Sequence, residues 1–140
     1  MDFPNGWDLP RIQAHIAANL AVSAHLGLSV EAASPERALV RLNPFAQALR
    51  PGNIVSGPVM FAAADVAAYA LILARTGDIA AVTIDLDMNF LRPATGLPLL
   101  AEAAVLRAGR RVFLCEVRIS APEPGSPALA HALARYAPSL

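Results

Sequence analysis

Apolar and polar positions alternate along this chain in patterns that predict its elements. Between Ser56 and Thr76 it reads SGPVMFAAADVAAYALILART, and from Gly57 to Ala74 every residue is apolar or small except Asp65. Such a run, rich in Ala and free of consecutive β-branched residues, predicts a buried α-helix. Ser56 suits its N-cap, Pro58 its first turn and Gly77 its C-terminal stop. A lone carboxylate inside a buried helix is costly unless paired, hydrogen-bonded or near water, so Asp65 demands an explanation.

The flanking segments carry shorter periods. Residues 10–25 begin with Pro10 and repeat apolar residues at Ile12, Ile16 and Leu20, then less regularly at Val22 and Leu26. This predicts an amphipathic first helix ending near Gly27. Two strands are expected at 28–34 and 36–42, with Ala38, Val40 and Leu42 alternating with Arg37, Leu39 and Arg41. A loop rich in Pro, Gly and Asn then leads to Ser56. Beyond the central helix, 79–91 places Val82, Ile84, Leu86, Met88 and Phe90 on one face and Thr83, Asp85, Asp87 and Asn89 on the other, predicting a half-buried strand. Strands at 98–107 and 111–120 meet at a turn of Ala108, Gly109 and Arg110, and a last strand covers about 128–137. One long apolar helix among runs of strands implies an α+β layer, with an antiparallel sheet of five to six strands wrapped around that helix. Residues 1–140 make one domain, with 1–27 as a helical extension.

Composition narrows the function. Hydrophobic residues make up 56% and charged residues 16% of the chain, which argues against disorder and for apolar surface covered by another subunit. The net charge is zero and there is no basic run, so nucleic acid is not an expected partner. All eleven basic residues are Arg, which excludes a Schiff-base lysine and the lysine of phosphate-binding loops. The start, MDFPNGWDLP, is acidic and carries Pro, unlike a signal peptide, so a cytoplasmic location is expected. The central run is barely long enough to span a membrane, and Asp65 at its middle would cost about 2.5–3.5 kcal/mol there. A soluble core helix fits better, with no membrane partner.

The single Cys115 alternates as a core residue, and His15, His25 and His131 lack the spacing of metal ligands, so no metal is expected. Asp85 and Asp87 share the polar face of a strand, where charge is ordinary. Gly57, at the helix N-terminus, offers free N–H groups and no Cβ, so a carbonyl oxygen can approach closely; it equally serves as a plain helix start. Asp65 lies eight residues on, about 12 Å along the axis, so one helix cannot bring both groups to one carbonyl. Two antiparallel copies about a two-fold axis can, which predicts a site shared between subunits. A buried Asp bonded to a loop or a partner helix is the alternative.

The run SGPVMFAAADVAAYA resembles the central-helix motif of hotdog-fold acyl-CoA thioesterases of the phenylacetate-pathway type. Their pattern is His-Gly-Gly followed by an apolar stretch ending Leu-Ala-Asp, and Ser56-Gly57-Pro58 with Ala63-Ala64-Asp65 matches its spacing. VTIDLDMNFLRPATG is similar to the family's next strand and LAEAAVLRAGRRVFLCEVRI to the hairpin after it, so the likeness covers about 30–138. The resemblance implies a hotdog fold and hydrolysis of a small or medium acyl-CoA thioester. It assigns Asp65 as nucleophile or general base, Gly57 N–H as the group polarising the carbonyl, and Thr83 as a hydroxyl that positions water or substrate. Asn53, Val55, Pro58 and Phe61 become candidate substrate contacts, and Arg107, Arg110 and Arg111 candidates for the CoA phosphates.

Ser56 stands where the family has His, Pro58 where it has a second Gly, and Arg50 where it has an upstream Asn. Ser56 is read first as a cap, and otherwise as a donor to the carbonyl. No cofactor is expected beyond the CoA of the substrate, and the expected assembly is a homodimer, or a dimer of dimers. A non-catalytic acyl-CoA binding or sensing module is the rival reading. A dehydratase would need a His near the central helix, and none is there.

Overall fold

The computed structural model describes residues 5–139. The expectation that the N-terminal stretch is no signal peptide rests partly on residues 1–4, which lie outside the described residues. The first helix, α1 (Leu9–Asn19), is capped by Asp8, whose carboxylate accepts the Arg11 N–H at 3.0 Å, and it buries Ile12 and Ile16. The helix expected over 10–25 is in fact divided: α2 (Ala21–His25) follows a break at Leu20, with φ −116° and ψ 70°. The cause is local. The Leu20 carbonyl accepts both the backbone N–H of Ser23 at 2.9 Å and its hydroxyl at 2.7 Å, a tight turn in place of the helical bond.

Strands β1 (Leu28–Ala33) and β2 (Arg37–Leu42) form a hairpin in which Ala38, Val40 and Leu42 are buried, as their alternation predicts. The loop before the central helix holds a 3-10 turn (Ala46–Ala48) and a two-residue ladder, β3 (Leu49–Arg50) with β4 (Ile54–Val55). After α3 (Gly57–Thr76) come β5 (Val82–Phe90), β6 (Leu99–Ala108), β7 (Phe113–Ser120) and β8 (Ala130–Ala137). The six long strands form one antiparallel sheet in the order β1-β2-β6-β7-β8-β5, and it wraps α3 as the hotdog fold does.

Along α3, Val59, Met60, Ala63, Ala64 and the whole stretch from Val66 to Ala74 are buried, and the helix stops at Gly77 in the left-handed region, φ 68°. One stripe escapes. Pro58 and Phe61 are exposed and Ala62 and Asp65 are half-buried, the i, i+3, i+4, i+7 spacing of a single helix face. The next position on that stripe, Tyr69, is covered by α1, where its hydroxyl lies 3.0 Å from His15 Nε2; folding thus brings a histidine beside the central helix, contrary to the expectation that none lies near it.

Two expectations for the strand after α3 need correcting. It is not half-buried: Val82, Ile84 and Phe90 are each more than half exposed, because β5 lies at the rim of the sheet and, among the described residues, pairs with β8 alone. Nor does it alternate strictly. The register shifts between Thr83 and Asp85, so that Thr83 faces Tyr136 while Asp85 faces Arg135. Ile84 is the extra residue of a β-bulge. Thr83 therefore turns to the helix side with Leu86, Met88 and Phe90, not to the side of Asp85 and Asp87.

Candidate active site

Asp65 meets the sheet at the bulge. Thr83 and Tyr136 are a directly opposed cross-strand pair, and both side chains reach the same carboxylate oxygen. Thr83 Oγ1 donates to Asp65 Oδ1 at 3.0 Å. The Tyr136 hydroxyl donates to that Oδ1 and also lies 3.1 Å from the backbone carbonyl of Asp65. The three residues line an open cavity of about 330 Å³ together with Leu20, Val66, Tyr69, Ile79, Ala81 and Val82. Burial, followed by the charge of Asp65 and the hydrogen bond to it, raises the Tyr136 phenol well above its ordinary range, so it remains a donor. Cys115, fully buried on β7, is pushed up to about 12, chiefly by burial and then by Asp65 and Glu116. Its thiol is inert as a nucleophile.

Gly57 opens α3 elsewhere. It lines a second cavity, about 350 Å³, with Arg50, Ile54, Val55, Met60 and Phe90 among its walls. A Cβ at Gly57 would lie 3.3 Å from the Phe90 ring, close enough that the ring would have to shift by a few tenths of an ångström. Neither Gly57 N–H nor Val59 N–H has an acceptor among the described residues. Ser56 holds the N-cap position, φ −69° and ψ 147°, yet its hydroxyl makes no capping bond. The cap read from the sequence is thus one of backbone position only. A capping oxygen bonds the N–H of the second or third helical residue, and the second is Pro58, which has none.

The remaining candidates scatter. Val55 is buried in the wall of the Gly57 cavity. Asn53 is exposed at the tip of the β3–β4 turn, with φ 57°, and lines neither cavity. Pro58 and Phe61 belong to the exposed stripe, where Phe61 precedes Asp65 by one turn. Arg107, Arg110 and Arg111 line a third open cavity, about 490 Å³, together with Arg135. Arg107, Leu114 and Arg135 pair in one row across β6, β7 and β8. That row is on the face of the sheet away from Asp65.

Sequence reasoning missed Tyr136. The only signal was its place at the end of the inward row Ala130, Ala132, Ala134, Tyr136, where a large side chain with a polar tip follows three methyls. Among the described residues no three His, Cys, Asp or Glu side chains converge as a metal site requires.

The family model that matches this sequence is that of the thioesterase superfamily, over residues 52–128. No curated protein matches. Among solved structures, a candidate thioesterase from Silicibacter sp. TM1040 is 30% identical and superposes with a TM-score of 0.86, covering 99% of this chain and 96% of its own. The thioesterase HI1161 of Haemophilus influenzae, 18% identical, superposes at 0.83 over 98% of this chain and 94% of its own. The PaaI protein of the E. coli phenylacetic acid degradation operon, 23% identical, does so at 0.75 over 91% and 95%. The last two speak for the fold.

Proposed function

The chain belongs to the thioesterase superfamily, and we propose that it hydrolyses small or medium acyl-CoA thioesters at a site completed by a second copy of itself. The observation that carries this reading is Asp65, the one carboxylate of α3, standing at the wall of an open cavity and held by two hydroxyls. The unpartnered Gly57 N–H at the helix tip supplies the matching donor. Such amides stabilise the oxyanion that develops on an attacked carbonyl.

Eight residues separate Gly57 from Asp65, about 12 Å of helix, and within one chain they line different cavities. Two antiparallel copies of α3, laid stripe to stripe, bring the acid of one to the amide of the other. The exposed stripe and the apolar rim of β5, with Phe61, Val82, Ile84 and Phe90 open to water, support such a dimer. On this reading Asp65 takes a proton from a water whose oxygen attacks the thioester carbon. The carbonyl electrons move onto the oxygen at Gly57 N–H; on their return the C–S bond breaks and the thiolate leaves with the proton. Alternatively the carboxylate itself attacks the thioester carbon, the C–S bond breaks and the thiolate leaves, and water then hydrolyses the resulting mixed anhydride to the free acid and the Asp65 carboxylate.

The acyl group fits the cavity walled by Leu20, Val66, Tyr69, Ile79 and Val82. The Arg107, Arg110 and Arg111 cluster would hold the CoA phosphates. Since the sheet divides it from its own Asp65, that ligand would belong to another subunit's site, as a dimer of dimers allows. The chemistry needs no cofactor.

A panel of acyl-CoA esters, followed by release of free thiol, tests the proposal. Turnover is expected on short and medium chains, and Asp65→Asn should lower it at least about a hundredfold. Tight binding of the esters without turnover in the wild type would move the protein to the sensing role.

A further inference from the structure

The two hydroxyls at Asp65 do not share the carboxylate between them. Both Thr83 Oγ1 and Tyr136 Oη bond Oδ1, while no hydrogen bond falls on Oδ2 among the described residues. No fully buried side-chain oxygen lacks a partner in the described part of the molecule, so Oδ2, having none, is not sealed off, and Asp65 lines the open cavity. The arrangement is lopsided in a definite direction. A carboxylate oxygen has two lone-pair positions in its plane, and Oδ1 has both filled.

From this geometry we infer that Tyr136 is a positioning residue: with Thr83 it saturates Oδ1 and so presents Oδ2 to the cavity as the reacting oxygen of Asp65. The inference rests on the reading above, in which Asp65 is the reacting carboxylate. Three observations fit it. The Tyr136 hydroxyl is pinned on both sides, because it also lies 3.1 Å from the backbone carbonyl of Asp65; it fixes the rotation of the side chain against its own helix. Tyr136 is 3% exposed, so it contributes a fixed donor and makes little contact with substrate. Finally, the pair is built by the sheet itself. Thr83 and Tyr136 oppose each other across β5 and β8, and only the bulge at Ile84 points the first of them at the helix.

A residue that aims another group acts on the chemical step and leaves substrate affinity alone. Tyr136→Phe keeps the ring and removes the donor. It should lower kcat about 10- to 100-fold, the range for one hydrogen bond to a charged group, with KM unchanged. Thr83→Val, on a strand open to water, should show the same split. The double variant should lose less than the product of the two, since both serve one oxygen.

A Tyr136→Phe protein that melts normally and turns over at the wild-type rate overturns the inference. So does a loss confined to KM, which would mark a substrate contact. Where the Phe variant does not fold, Thr83→Val decides alone: an unchanged kcat overturns the inference. In each case an inactive Asp65→Asn leaves the hydrolytic reading standing, whereas a fully active Asp65→Asn removes that reading and the inference with it.

Discussion

The two halves of α3 are both apolar and rich in Ala, yet they are covered to different extents. From Val66 to Ala74 every residue is buried, enclosed by the sheet and by α1. The His15 ring meets the Tyr69 hydroxyl, which in turn donates to the Ile79 carbonyl at 3.1 Å. These bonds tie the helix, the N-terminal segment and the link to β5 together. From Pro58 to Asp65, Val59, Met60, Ala63 and Ala64 are buried, while the stripe of Pro58, Phe61, Ala62 and Asp65 stays exposed or half-buried. Ala-rich sequence makes both halves helical; only the presence or absence of a covering element separates scaffold from site. The one acid of the helix sits where the cover ends.

Substitutions in the two halves should therefore fail in different ways. Leu71→Ala, at a fully buried position, should cost about 2–5 kcal/mol of stability, read from denaturant midpoints, with turnover per folded molecule retained. That signature is the reverse of the one expected for Asp65→Asn. Phe61→Arg, on the bare stripe one turn from Asp65, should leave melting of the single chain almost unchanged. It should weaken self-association by about 2 kcal/mol or more, the scale of an aromatic anchor, and activity should fall in parallel; sedimentation at several concentrations with turnover measured alongside reads the two. A Phe61→Arg protein that stays associated would place the interface elsewhere.

The smallest effect comes from the sheet beneath the helix. Cys115 is held protonated in the folded chain up to about pH 12, against 9.0 for the free thiol. Above pH 9 the unfolded chain therefore binds fewer protons than the folded one, and stability falls as pH rises. At pH 10 the loss from this thiol is about 1 kcal/mol, visible as a lowered Tm that Cys115→Ser should lessen, the remainder coming from the raised Tyr136 and Tyr69 phenols.

Much of this was legible in the sequence, and the limits are physical. The central helix and its odd acid stand out because burial of a charge contradicts everything around it. The strands β2, β7 and β8 follow from alternation, since one face of each packs on the helix. Thr83 was placed on the wrong face because a period of two assumes an unbroken ladder, and nothing in VTIDLDMNF announces a bulge. Tyr136 joins Asp65 across 71 residues, a contact no local pattern contains. The break at Leu20 hinges on one serine choosing a nearby carbonyl. Ser56 looked like a cap by type, while its neighbour Pro58 withholds one of the amides a cap would bind.

The irregular strand has a consequence of its own. Were β5 to lie flat, Ile84 would turn inward and Thr83 outward, an exchange that oil and water alone would favour. The folded chain instead leaves Ile84 52% exposed and turns the Thr83 hydroxyl onto Asp65. Two ways of seating one ribbon are written into the same nine letters. The one adopted gives up an apolar contact for a hydrogen bond to Asp65, and Ile84 is left facing water.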